Sequence, residues 1–205
     1  MRIEFLLEER SAEAVMRNIV PKIINWDAIV GYHVFNGKHD LLGKLPNRLK
    51  GYKEICRFDP CKIVVLIDKD RQDCHVLKTR LERVAADAGL ITKTQCGLNM
   101  QFQVLNRLAI EELEAWFFGD NQALSTAYPR VPTHLHAKAK YRNPDGIPGG
   151  TSQALERVLM QAGYYAGGMP KIEVAMKVSS LMNPDRNTSK SFQVFKAGLL
   201  ALRIP

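Results

Sequence analysis

With 205 residues, 46% of them hydrophobic and 24% charged, the chain can build one full core with a small helical appendage. No apolar run approaches the roughly 20 residues that span a bilayer, and the amino terminus carries Glu4 inside a short apolar run with no small-residue cleavage site. That excludes an export signal and a membrane span and predicts a cytoplasmic protein. A formal charge of +8, from 29 Lys and Arg against 21 Asp and Glu, favours phosphate polyanions as partners without naming one.

Residues 2–7 read as a first strand, followed by Glu8-Glu9-Arg10 and by Ser11, a good N-cap. Val15, Ile19, Val20, Ile23 and Ile24 then repeat at helical spacing over 12–24, with a kink or break expected at Pro21. This order puts Glu8 at the carboxyl end of the strand. Residues 29–35 give a second strand and Asn36-Gly37-Lys38 a turn, before a helix over 41–52 that runs despite Pro46. The unbroken apolar run Ile63–Ile67 suits a strand buried on both faces of a parallel sheet. It stops at Asp68-Lys69-Asp70, after which Asp73 caps a helix ending at Gly89. Residues 100–110 alternate as a fourth strand, and 111–120 follow as a short helix on which Glu111 and Glu114 share a face. Trp116, Phe117 and Phe118 in that helix are expected in the core rather than as stacking platforms.

Strands alternating with helices predict an α/β fold over residues 1–128, Rossmann-like, with a parallel sheet of about four or five strands flanked by helices. Residues 129–150 form a Pro/Gly-rich loop, and 151–205 a C-terminal helical extension packed on the same domain, with helices near 152–162, 170–181 and 189–202. Cys56, Cys61, Cys74 and Cys96 lack zinc-type spacing and read as reduced thiols, so structural zinc is not expected.

Sheets of this kind bind ligands beyond the carboxyl ends of their strands, which is where Glu8, Asp68/Asp70 and Glu111/Glu114 fall. Two neighbouring carboxylates repel, so the Asp68/Asp70 pair is either a solvated loop or an oxygen-ligand site for Mg²⁺ or Mn²⁺. Glu114 either completes that site or is a solvated helix carboxylate. Lys69 and Arg71 either contact phosphate or neutralise the acids beside them. Lys138, Lys140 and Arg142 alternate along the loop and either track a nucleic-acid backbone or form a solvated face. His134 and His136, with no cysteine nearby, read as surface residues rather than metal ligands. Gly149-Gly150-Thr151-Ser152 lacks the lysine of a phosphate-binding P-loop, and no nucleoside-triphosphate site is apparent.

The run Leu7-Glu8 with Ser11 and a helix, followed by the strand end Asp68-Lys69-Asp70, resembles the Toprim fold of topoisomerases, primases and overcoming-lysogenization-defect nucleases. The block from Glu111-Glu112-Leu113-Glu114-Ala115-Trp116 to Asp120 looks like the small Toprim-like bacterial proteins called domain of unknown function 4276. Ser189-Lys190-Ser191-Phe192-Gln193-Val194-Phe195 is similar to that family's closing helix. The resemblance implies metal-dependent phosphodiester chemistry, with Glu8 as general acid or base and Asp68 and Asp70 holding Mg²⁺. It also implies an ATPase partner, since family relatives encoded beside an ATPase act in anti-phage defence, some as RNA-cleaving toxins. Toprim proteins usually place glycine after the first glutamate, where Glu9 and Arg10 stand here. Either Glu8 or Glu9 is therefore the functional acid, and Arg10 either depresses the pKa of Glu8 or clamps a phosphate.

The leading expectation is a Mg²⁺-dependent nuclease or nuclease subunit in which Glu8 and Glu114 act on protons and Asp68, Asp70 and Glu8 hold metal. The alternatives are a non-catalytic nucleic-acid-binding or regulatory subunit of an ATPase complex, and a phosphotransferase for small phosphate esters.

Overall fold

Four apolar runs form one all-parallel sheet: β1 (Arg2–Leu7), β2 (Ile29–Val34), β3 (Cys61–Asp68) and β4 (Val104–Ala109), in the order β2-β1-β3-β4. The computed structural model describes residues 1–97 and 101–203. The fourth strand was expected from Met100, which lies outside those residues. The central strands β1 and β3 are buried on both sides. Ile3, Phe5, Leu7, Val64, Leu66 and Leu105 pack into one core, and Leu6, Ile63, Val65, Ile67 and Val104 into the other. This two-residue alternation is the pleat of a strand seen from both faces.

Helix α1 (Arg10–Ile23) covers the first face; α2 (Lys38–Phe58) and α3 (Cys74–Asp87) cover the second. The chain leaves β1 outward to β2, then returns past β1 to β3 and β4. Strand order therefore reverses between β1 and β3. The connections diverge there to opposite faces and leave a crevice above the carboxyl ends of those two strands.

Local sequence explains most element boundaries. In α1 the buried positions Ala12, Val15, Met16, Ile19, Val20 and Ile23 form one helical stripe. Its N-cap is Glu9 rather than the expected Ser11, whose hydroxyl lies inside the first turn and donates to the Glu9 carboxylate. Pro21 stands in the last turn, where the helix is already ending. Helix α2 is longer than its apolar stripe suggests: Leu41, Leu42, Leu45, Leu49 and Tyr52 bury it, and exposed turns extend it to Phe58. Asp73 caps α3 as expected, accepting from the amides of His75 at 2.8 Å and Val76 at 2.9 Å.

One expectation about the cysteines is corrected. Cys56 and Cys61 are joined in a disulfide, with Cα atoms 5.3 Å apart, because the chain turns back sharply between α2 and β3 and brings two nearby positions together. Cys74 and Cys96 are free.

After β4 come α4 (Ala115–Gly119) and α5 (Asn121–Ala127). Three single 3₁₀ turns (Leu135–Ala137, Ala139–Tyr141, Pro144–Gly146) then give the Pro/Gly-rich stretch local structure. Helices α6 (Thr151–Gln161), α7 (Lys171–Leu181) and α8 (Lys190–Leu200) follow, and their apolar faces join the core on the α1 side. Trp116 is fully buried, 5.1 Å from the Phe192 ring and 5.0 Å from that of Phe195, and its indole N–H donates to Ser191 Oγ at 2.8 Å. Ser189 caps α8, and the Asp145 carboxylate accepts from the Ser189 and Ser191 hydroxyls, both at 2.8 Å. The serine-rich helix start is thus a tie between α4, α8 and the 3₁₀ segment. No helix among the described residues is long and apolar enough to cross a membrane.

Candidate active site at the carboxyl edge of the sheet

Asp68 is the last residue of β3, and Glu8 directly follows β1. The two stand on either side of the strand-order reversal. The Asp68 amide donates to Glu8 Oε2 at 3.1 Å, which fixes one carboxylate against the neighbouring strand end. Burial is the largest influence on Asp68 and pushes its carboxyl well above the usual carboxylate range; the charges of Glu114, Glu8, Glu9 and Asp70 push it further the same way. Burial likewise raises Glu8, against the opposing effects of the Asp68 amide and of Lys38.

Glu114 reaches the same edge from the start of α4. It is 5% exposed, and burial raises its pKa although Lys171 Nζ lies 3.7 Å from Oε1. Lys171, at the first turn of α7, loses charge preference to burial, but Glu114, Glu9, Glu112 and Asp68 together reverse this and raise its pKa. The expected helix carrying Glu111 and Glu114 on one face is corrected: residues 111–114 form a turn, and α4 begins only at Ala115. Glu111 is left-handed at φ 61°, as is Asp70 at φ 51°, a conformation that costs a non-glycine residue on the order of 1 kcal/mol. The two residues are stitched together, with the Asp70 amide donating to the Glu111 carbonyl at 2.6 Å and the Lys69 amide to Ala109 at 2.8 Å. Two loops from adjacent strands are held as one rim.

Lysines partner much of the surrounding charge. Lys69 Nζ lies 2.8 Å from Glu111 Oε1. Lys38, the first residue of α2, pairs with the Asp70 carboxylate and donates to the Lys69 carbonyl at 3.3 Å. Glu112 is occupied by the start of α6, accepting from the Ser152 amide at 2.7 Å and the Thr151 hydroxyl at 3.2 Å. Arg71 joins Asp70, Glu111, Glu112 and Gly150 around a cleft of about 290 Å³.

Of the residues expected at a site, the fold gathers Glu8, Glu9, Asp68, Asp70, Glu114, Lys69 and Arg71 at this edge. Arg10, Lys138 and Lys140 are exposed; Lys140 lies over the ring of Tyr141, and Arg142 lines a separate cleft with His134 and His136. Lys38 and Lys171 were missed. The Gly37-Lys38 turn after a predicted strand was a usable signal for Lys38; nothing local marks Lys171, which is distant in sequence.

As a donor set these are hard carboxylate oxygens, which suits Mg²⁺ or Mn²⁺. With the side chains as placed, no three His, Cys, Asp or Glu residues among those described converge on one metal position. Asp70 is turned to Lys38 and Glu114 toward Lys171, so a common cation requires those carboxylates to exchange partners.

A family described as Domain of unknown function (DUF4276) matches residues 7–200. The chain belongs to this family. The match takes in every acid of the DUF4276 chain's sheet edge as well as the Ser189–Phe195 closing segment. No curated protein and no solved structure matches the chain.

Proposed function

We propose that this DUF4276 chain is a Toprim-like, divalent-metal-dependent nuclease, or the nuclease subunit of an anti-phage pair with an ATPase. The observation that supports it most directly is the Glu8–Asp68 pair across the strand-order reversal, with both carboxyls raised by burial and by their acidic neighbours. Such a group is costly unless a cation offsets it. A bound Mg²⁺ or Mn²⁺ supplies charge stabilisation at the phosphoryl oxygens and an activated water. Asp68 and Asp70 would hold it, which would require Asp70 to part from Lys38. Glu8, whose pKa burial raises above the ordinary carboxylate range, is suited to hold and return a proton. Glu114, buried at the same edge with its pKa raised, is the second candidate for proton handling, and Lys69 and Arg71 at the rim are the candidates to meet phosphate.

A second reading rests on the lysines. Lys38, Lys69 and Lys171 already offset Asp70, Glu111 and Glu114, which is the arrangement expected of a non-catalytic subunit that keeps the fold and binds nucleic acid. Incubation with DNA and RNA plus Mg²⁺ or Mn²⁺, beside Asp68→Ala and Glu8→Gln, separates the two. The nuclease reading expects cleavage that drops at least about a hundredfold in both variants, roughly 2.7 kcal/mol of transition-state stabilisation. Cleavage that survives both substitutions sinks the assignment. Nucleic-acid binding with no cleavage, alone or with any ATPase found encoded beside it, favours the second reading.

A further inference from the structure

The Pro/Gly-rich stretch builds a cleft of its own, apart from the acidic edge. Leu135 and Tyr141 are buried, and Tyr141 stacks on Phe118 with ring centroids 5.3 Å apart and planes within 8°. These anchors fix the segment carrying His134, His136 and Arg142 against the far end of α4. Together with Thr133 and Arg186 they line a cleft of about 650 Å³, within the size range of small-molecule sites.

The charge balance of this cleft is unlike that of the sheet edge. Its one carboxylate, Asp120, is 1% exposed and already saturated. It accepts from Arg186 Nε at 2.8 Å and Nη2 at 2.9 Å, from the Asn183 amide at 2.8 Å and from the Ala123 amide at 3.1 Å. Four donors fill the sites a carboxylate offers. Arg186 keeps Nη1 for a ligand, and Arg142 makes no ion pair among the described residues. Each imidazole offers a ring N–H in either protonation state. Donors thus line the cleft from two separated segments with no carboxylate left unpaired, and planar guanidinium groups match phosphate oxygens.

We infer that this cleft binds a phosphate group, carried either by a free nucleotide or by a nucleic acid. The inference goes beyond the nuclease reading, because a chain with no cleavage activity retains the cleft.

The test is fluorescence anisotropy and calorimetry on the full chain in excess chelator, which removes any metal contribution from the acidic edge. The probes are ADP and one oligonucleotide with either a 5′-phosphate or a 5′-hydroxyl. The variants are Arg142→Ala, the pair His134→Ala/His136→Ala, and Lys140→Ala, an exposed lysine of the same loop that does not line the cleft; melting curves confirm that each folds. The expected result is binding that weakens at least about tenfold in Arg142→Ala and in the double-histidine variant, and changes little in Lys140→Ala. Under that pattern, tight ADP binding assigns the phosphate to a free nucleotide. Preference for the 5′-phosphorylated strand assigns it to a nucleic-acid end, and equal binding of both strands without ADP binding to an internal backbone phosphate. Equal loss in Lys140→Ala and Arg142→Ala overturns the inference, since general surface charge then accounts for binding. So does failure of the parent to bind any of the probes.

Discussion

Buried and half-buried carboxylates are treated in two ways in this molecule. In the C-terminal half, Asp120 receives four hydrogen bonds and Asp145 receives the hydroxyls of Ser189 and Ser191 together with the Ser191 amide. At the carboxyl edge of the sheet, Glu114 is nearly as enclosed yet has one lysine at 3.7 Å, and Asp68 faces four acids. Burial alone therefore does not mark a functional acid. The distinction is whether the fold supplies donors: Asp120 and Asp145 fasten helices together, whereas Asp68 has acids for neighbours and Glu114 a single lysine at 3.7 Å.

The sharpest way to break this comparison is to remove one acid of each kind. Asp120→Ala leaves Arg186 and two amides without their acceptor, and is expected to destabilise the protein by about 3–5 kcal/mol in urea unfolding. A loss below 1 kcal/mol would put Asp120 in the same class as the edge acids. A smaller effect is expected at Ser191→Ala, which strips the indole N–H of Trp116 and one contact of Asp145; about 1–3 kcal/mol should be lost in the same measurement.

Asp68→Asn is expected to act in the opposite direction. It removes a half-buried carboxylate whose neighbours repel its charge, and should stabilise the chain at pH 7.5 by about 1 kcal/mol, a rise of roughly 2–4 °C in Tm. Mn²⁺ should raise the Tm of the parent and not of this variant, and a variant that melts lower than the parent at pH 7.5 would remove the electrostatic argument for the site.

The smallest effect is the pH dependence. Asp68, Glu8 and Glu114 all have folded pKa values above their unfolded ones. Between the ordinary carboxylate range and those raised values, the folded state holds protons that the unfolded state has lost. Their contribution to stability is therefore greatest below the unfolded pKa and falls as pH rises through the folded one. Metal-free protein should melt a few degrees higher at pH 5.5 than at pH 7.5, and Asp68→Asn should flatten that slope. A steeper slope in the variant would mean that other groups dominate.

Much of this arrangement is legible in the chain before it folds. The strand at 2–7, the unbroken apolar run through 63–67 into Asp68, and the Asp73 cap are local signals, and local rules of strand burial and capping are enough to read them. The parallel α/β class follows from their order. Other features depend on long-range packing. The 111–114 turn replaced an expected helix because Asp70 and Glu111 bind each other across adjacent strand ends, a pairing no local propensity encodes. The cysteines were misread because redox inference from spacing is blind to the tight return between α2 and β3.

The sequence by itself determined which residues are acidic, where each strand stops, and hence that Glu8, Asp68 and Glu114 each follow a strand. Only the tertiary structure decided that strand order reverses between β1 and β3, so that Glu8 and Asp68 become neighbours, and that Lys38 and Lys171 arrive from α2 and α7 beside them. The physical reason is one of range. Hydrogen bonding and side-chain alternation act over a few residues and leave a periodic trace, whereas desolvation and charge pairing depend on which surfaces meet, and that is fixed by packing across the whole chain.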